Sequence, residues 1–258
     1  MTARTVLITN DDGVDAEGLA ALRDALEAIA GVEVWVCAPD APRSACGHGM
    51  TLARPVAAVE LGPRRFALGG LPADCVYTAL FGLMPRRPDV VISGLNRGPN
   101  LGTDVVYSGT VAGAREAVIR GVHGVAASLV SGEEYGAAAA SAVAIALDLA
   151  RLEGPPRLLN LNYPAGTFAG PAVAPLGVRL YPEEARRLVD PATGAISYLL
   201  GGPPVVDARA PGTDGWLVSR GVASATFLTI DQTDRGAPSP CPLARLLPAD
   251  FFPTRDPC

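Results

Sequence analysis

Apolar residues at consecutive rather than alternating positions constrain this chain most. The runs VLIT (Val6–Thr9), DVVIS (Asp89–Ser93) and GVAASLV (Gly124–Val130) put hydrophobic side chains on both faces of any strand they form, so each strand needs cover on both sides. Helical spacing lies between them. Leu19, Leu22, Leu26 and Ile29 share one helix face after the first run, and VEVWVCAPD (Val32–Asp40) follows as a second strand, which makes a β-α-β unit. FALGG, a helical PADCVYTALFGLM, a helix from Thr110 to Arg120, an Ala-rich helix from Gly136 to Leu152 and the strand RLLNLNYP continue the alternation. The expectation is an α/β fold, a mostly parallel sheet layered between helices, over residues 1–164. After Pro164, Pro and Gly multiply. GVRLY, ISYLL and WLVSRGVASATFLTI then read as hairpins, so residues 165–258 are expected to form a smaller β-rich region.

Composition removes several function classes. A formal net charge of -5 argues against a broad nucleic-acid surface or an anionic-membrane surface, since both require basic faces. All 21 positive side chains are Arg, so Schiff-base chemistry and a P-loop lysine are excluded. The 5 cysteines are scattered and never form a CxxC pair, which suits a reducing cytoplasm and no zinc knuckle. Val6–Ile8 is too short an apolar run for a signal-peptide core, and Asp148 and Arg151 interrupt the Ala-rich segment, which reads as a buried helix rather than a membrane span.

Ligands of open parallel sheets bind at the carboxyl ends of strands near the point where strand order reverses. Three segments fall at such ends: Asn10–Gly13, Pro39–His48 and Gly94–Gly102. Their Asp, Ser and Asn side chains offer hard oxygen donors, which suit Mg²⁺, Mn²⁺ or Ca²⁺ better than zinc. Further on, Tyr107, Ser108, Gly109 and Thr110 precede a helix, where hydroxyls and free N–H groups form an anion site able to take a phosphate. A cation site beside a phosphate cradle, without Lys, points to metal-assisted hydrolysis of a phosphate ester.

Plainer readings stand beside these. Asp11 and Asp12 also suit a turn with one solvated carboxylate, Ser44 an ordinary loop, Asn96 and Asn100 left-handed loop positions, and Ser108 and Thr110 helix caps. His48 reads as a hydrogen-bonding loop residue and His123 as structural. Cys37 and Cys75 read as core, and Glu133 and Glu134 as a solvated surface pair.

Taken in order, TNDDG (Thr9–Gly13), APD..RS (Ala38–Ser44), Thr51, PADCVY (Pro72–Tyr77) and SGLNRGPNLGTDVVYSGTVAGA resemble the survival protein E (SurE) family of metal-dependent 5′-nucleotidases and acid phosphatases. The likeness continues through LNLNYP and into TDGWLVSRG and LTIDQT. It implies a Rossmann-like three-layer αβα domain and a C-terminal β-rich arm that exchanges between subunits of a homodimer or homotetramer. It implies one divalent cation, Mg²⁺ or Mn²⁺, on Asp11, Asp12, Ser44 and Asn96. Ser108, Gly109 and Thr110, with Asn10 and Asn100 nearby, would hold the phosphate of a nucleoside monophosphate. On this reading a water attacks the phosphorus in line, with Asp11 and Asp12 as catalytic carboxylates; adjacent aspartates do not suit an aspartyl-phosphate enzyme, whose pair is separated by one residue.

Two departures bear on this. Ala45 follows Ser44 where the family usually has Gly, which restricts the loop. Asp231 is followed four residues later by Arg235 where some members carry His, so Asp231 alone remains as an acid-base candidate. A non-catalytic nucleotide or metal sensor and a short-chain polyphosphatase are the rival expectations.

Overall fold

Val6 and Ile8 pack into one hydrophobic layer while Leu7 packs into another, and Val90, Ile92 and Val91 divide in the same way. This two-sided burial is what the consecutive apolar runs require. The computed structural model describes residues 4–181, 185–200 and 206–233. In chain order the elements are β1 (Arg4–Thr9), α1 (Glu17–Glu27), β2 (Val32–Pro39), β3 (Ala58–Gly62), β4 (Arg65–Leu68), α2 (Pro72–Thr78), β5 (Val90–Arg97), α3 (Gly109–Ile119), β6 (His123–Leu129), α4 (Gly136–Leu149) and β7 (Leu158–Tyr163). They continue as β8 (Ala169–Val173), β9 (Val178–Leu180), β10 (Ala185–Val189), β11 (Ile196–Leu200), β12 (Val206–Ala208), α5 (Asp214–Ser219) and β13 (Val222–Leu228).

The principal sheet runs β3-β4-β2-β1-β5-β6-β7-β13-β8. Its centre, from β4 through β7, is parallel throughout. β1 pairs with β2 on one side and β5 on the other, so strand order reverses between β1 and β5. Helices α1 and α4 pack together on one face, while α2 and α3 pack together on the opposite one, completing three layers of an α/β fold.

Several local expectations need correction. Helix α1 stops at Glu27, so Ile29 lies beyond it and is partly exposed. Helix α2 passes into a π-helical turn over Ala79–Leu83, and α4 ends at Leu149. The segment WLVSRGVASATFLTI is not a hairpin: it forms α5 and then β13, which pairs antiparallel with β7 and parallel with β8. The sheet therefore continues past Pro164, and the compact body extends to Leu228, followed by a second unit from Thr229. ISYLL does form a hairpin strand, as β11 against β10, whereas GVRLY supplies β9, which pairs with β12. Among the described residues no helix is long and apolar enough to cross a membrane.

Candidate active site

The acidic turn follows β1 directly, at the point where strand order reverses. Asn10 closes it: its Nδ2 donates to Gly13 O at 2.8 Å, and its Oδ1 accepts from Gly13 N at 3.2 Å. The amide of Asn10 thus shapes the turn from within. The loop after β2 is tied to the same turn, since Arg43 N donates to Asp11 O at 2.7 Å and Val14 N to Pro39 O at 2.8 Å. The first of these bonds ties Arg43, the residue before exposed Ser44, to the acidic turn. Ala45 next to Ser44 holds a positive φ of 56°, the conformation that glycine adopts without penalty.

A shift in the β5–β6 register between Ser93 and Asn96 turns the end of β5 toward the acidic turn. Arg97 N donates to Asp12 Oδ2 at 3.0 Å, and Asn96 Nδ2 donates to Gly98 O at 2.9 Å. The amide nitrogen of Asn96 is thereby engaged, and its oxygen is the atom available to a cation.

Helix α3 supplies the third wall. Ser108 is its N-cap, with Oγ accepting from Val111 N at 3.0 Å. Thr110 Oγ1 donates to Asp11 Oδ1 at 2.5 Å. A Cβ at Gly109 would stand 2.9 Å from Asp11 Oδ2 and 2.7 Å from Cys46 Sγ, so only glycine lets the helix end approach the carboxylate this closely. Gly113 does the same one turn later, where a Cβ would meet Ser93 Oγ at 2.8 Å. The result is a buried carboxylate at a helix N-terminus, where the macrodipole favours negative charge.

Burial pushes the Asp11 carboxyl up to about 6; the Thr110 hydrogen bond opposes this and the neighbouring Asp12 charge adds to it. Burial also raises Asp12, against the pull of the Arg97 N–H and guanidinium. Two adjacent carboxylates, both held above their ordinary range, would gain from a cation between them. Two carboxylates with neutral oxygen donors are the chemistry a hard divalent ion takes, and among the described residues no group of three or more His, Cys, Asp or Glu side chains comes together.

Asn100 sits deeper. Its Nδ2 donates to Ser128 Oγ at 2.8 Å and to Thr110 Oγ1 at 3.3 Å, while its carbonyl accepts from Asn160 Nδ2 at 2.8 Å and Asn162 Nδ2 at 3.0 Å. This buried network reaches Asp11 through Thr110. Sequence reasoning missed Ser128, Asn160 and Asn162, although two Asn at alternate positions of an apolar strand are a signal for one polar face. It also missed Glu116 on α3, a 1% exposed residue whose Oε2 is 2.9 Å from His48 Nε2 and whose Oε1 accepts from Arg120 Nε at 2.7 Å. His48 is therefore bonded as expected, and it anchors its loop to α3. His123 Nδ1 accepts from Arg157 N at 3.1 Å, and Cys37 and Cys75 are core residues. Glu133 is exposed and pairs with Arg97 at 2.6 Å.

Asp231 belongs to the second unit, where it is exposed and its Oδ1 accepts from Thr233 N at 2.9 Å. Arg235 lies outside the described residues.

Comparison with known proteins supplies independent information. A family model described as survival protein SurE matches residues 6–183. The 5′-nucleotidase SurE of Sorangium cellulosum is 44% identical over 234 residues, spanning 88% of this chain and 90% of that protein. The 5′-nucleotidase SurE of Desulforamulus reducens is 42% identical over 239 residues, spanning 89% and 94%. The crystal structure of the SurE protein from Aquifex aeolicus superposes with a TM-score of 0.76 at 35% identity, covering 89% of this chain and 95% of that one.

Proposed function

The chain belongs to the survival protein SurE family, and we infer that it is a 5′-nucleotidase, a phosphoric monoester hydrolase that releases phosphate from nucleoside monophosphates. The observation that carries the chemistry is the buried Asp11 carboxylate facing the N-terminus of α3, with Asp12 beside it. We propose that Asp11, Asp12, Ser44 and Asn96 hold one divalent cation, Mg²⁺ or Mn²⁺. When bound, the cation supplies positive charge against a phosphate oxygen and makes a coordinated water more acidic.

The chain's own residues do the rest. The hydroxyl and first N–H groups of Ser108, Gly109 and Thr110 orient the phosphoryl oxygens, in place of the lysine this sequence lacks. Asn10 and Asn100 keep those groups in place, Asn10 by closing the acidic turn and Asn100 by bonding Thr110. Asp11 is fixed by Thr110; Asp12, the less buried of the two, is the carboxylate proposed to orient the attacking water. Asp231 is the proposed attendant of the leaving oxygen. We propose further that the protein is a homodimer or larger homo-oligomer assembled through its β-rich region from residue 165 onward. Its free Cys37, Cys46 and Cys75 thiols suit the reducing cytoplasm.

The test is phosphate release from a panel of nucleoside monophosphates with Mg²⁺, Mn²⁺ or EDTA, comparing wild type with Asp12→Asn. Metal-dependent release that falls by about 100-fold or more in the variant is expected. Release that persists in EDTA would sink the metal-dependent reading, and tight nucleotide binding without release under any condition would favour a sensor.

A further inference from the structure

Asn100 bonds Thr110, but Asn100 must itself be held, and its own loop does little to hold it. Gly98 and Gly102 bracket that loop with positive φ values of 118° and 54°, and Pro99 between them offers no N–H. The backbone of Asn100 takes its partners from side chains of β7 instead. Its N–H donates to Asn162 Oδ1 at 2.9 Å, while its C=O accepts from Asn162 Nδ2 at 3.0 Å and from Asn160 Nδ2 at 2.8 Å. One side-chain amide, that of Asn162, thus makes both of the bonds a neighbouring strand would make. The base it stands on is firm: Asn160 and Asn162 are fully buried, and β7 is paired on both sides, with Asn162 in register with Ser128 of β6 and Ser224 of β13.

The direction of every link follows from groups that can act only one way. The Asp11 carboxylate only accepts, so the Thr110 hydroxyl hydrogen points at its Oδ1, and Thr110 Oγ1 is left to accept from Asn100 Nδ2. The Asn100 C=O also only accepts, so Asn160 and Asn162 present their Nδ2 atoms to it, which leaves Asn162 Oδ1 for the Asn100 N–H. The bonds therefore run in one sense from β7 through Asn100 and Thr110 to Asp11. Resting on the phosphomonoesterase reading, we propose that Asn162 is a positioning residue for the hydrolysis. Its amide pins the backbone of Asn100, and the pinned Asn100 holds Thr110 with its hydroxyl on Asp11. Asn160, with one bond of the three, is the lesser partner. Asn162 touches neither phosphate nor cation; it acts by keeping the Thr110 hydroxyl aimed at the carboxylate. Misplacement on the scale of about 1 Å at a reacting centre costs about 100-fold in rate, so a remote amide can carry much of the activity.

Wild type, Asn162→Ala, Thr110→Val and the double variant are compared on a nucleoside monophosphate and on p-nitrophenyl phosphate, with Mg²⁺ or Mn²⁺, at a temperature where circular dichroism shows all four folded. Asn162→Ala is expected to lower kcat by about 10- to 100-fold on both esters, with KM within about threefold of wild type. In the Thr110→Val background the hydroxyl that passes the effect on is gone, so the same change should cost less than about threefold more. Thr110→Ser keeps the hydroxyl, and in that background the full loss should return. The full loss in both backgrounds would show that Asn162 acts by another route and would overturn the proposal, as would an unchanged kcat in the single variant. If Asn162→Ala does not fold, Asn160→Ala takes its place in the same cycle, with a smaller loss of about two- to fivefold because two of the three bonds survive. Amide exchange at Asn100 needs no turnover. Its N–H loses its acceptor in Asn162→Ala and should exchange faster; unchanged exchange would overturn the pin. Absence of wild-type hydrolysis of either ester would be the failure of the phosphomonoesterase reading, and exchange at Asn100 would still decide the pin.

Discussion

Ala45 carries a cost that the rest of its loop sustains. An L-residue with a side chain at φ 56° crowds its own carbonyl, by about 1 kcal/mol or more, whereas glycine does not. Ala45→Gly relieves that crowding but gives the unfolded chain more freedom, so the expected net gain is about 0.5–1 kcal/mol, read as a rise of about 1–4 °C in Tm. An unchanged or lower Tm would show that the strain is absorbed elsewhere. Glu116 makes a second case. Burial alone would raise its carboxyl, but the bonds from His48 and Arg120 outweigh burial and hold it below its ordinary value of 4.5. Its contribution is therefore complete above 4.5 and fades as pH falls through the lower value in the folded protein. Glu116→Gln should cost about 1–3 kcal/mol at pH 7 by urea unfolding, and the gap should narrow by pH 3.5. A gap independent of pH would mean that shape, not charge, is what Glu116 provides. The aspartates were legible because two adjacent carboxylates after an apolar strand are hard to explain as a turn alone. Glu116 was not legible: in GTVAGAREAVI it occupies a place that an exposed residue could fill, and only the packed helix shows it buried.

Among the elements, α3 shows how local sequence becomes site geometry. Gly109 and Gly113 lie four residues apart on one face, and that face lies on β1 and β5, so the helix end comes to the carboxylate by packing. Helix α5 has a comparable role at longer range. Asp214 is fully buried and accepts backbone N–H bonds from Gly102 at 2.8 Å, Gly177 at 2.7 Å and Gly215 at 2.8 Å. It joins the loop after β5 to the approach to β9 and to its own helix. Asp214→Ala strips a charged acceptor from all three donors, so a loss of about 3–5 kcal/mol is expected by urea unfolding. Amide hydrogen exchange should accelerate at Gly102 and Gly177 first; uniform acceleration along the chain would show global destabilisation instead. The central strands and helices were readable because two-sided apolar runs and helical spacing are local properties. The fate of β13 was not: Val222–Leu228 alternates well enough for a hairpin, and only the open edge of β7 decides that it joins the main sheet.

At the scale of the whole molecule, the described residues leave an apolar surface exposed. β10 and β11 pair with each other and with no other strand among the described residues, and every residue of both is exposed. Register places Val189 opposite Ile196, Arg187 opposite Tyr198 and Ala185 opposite Leu200, so one face of the ribbon is apolar except for Arg187. A two-stranded ribbon of this kind is marginal alone in water, and an exposed apolar face of this extent marks a contact surface. A second copy of the chain is the occupant that fits the proposed homo-oligomer. Sedimentation should then give at least twice the 26.4 kDa chain mass. Charging the apolar face with Ile196→Glu and Tyr198→Glu together should shift that species toward monomer while circular dichroism stays unchanged, because neither residue touches the principal sheet's core. Wild type sedimenting at the monomer mass would remove the case for assembly. A charged variant that remains oligomeric would move the interface elsewhere and leave the ribbon unexplained.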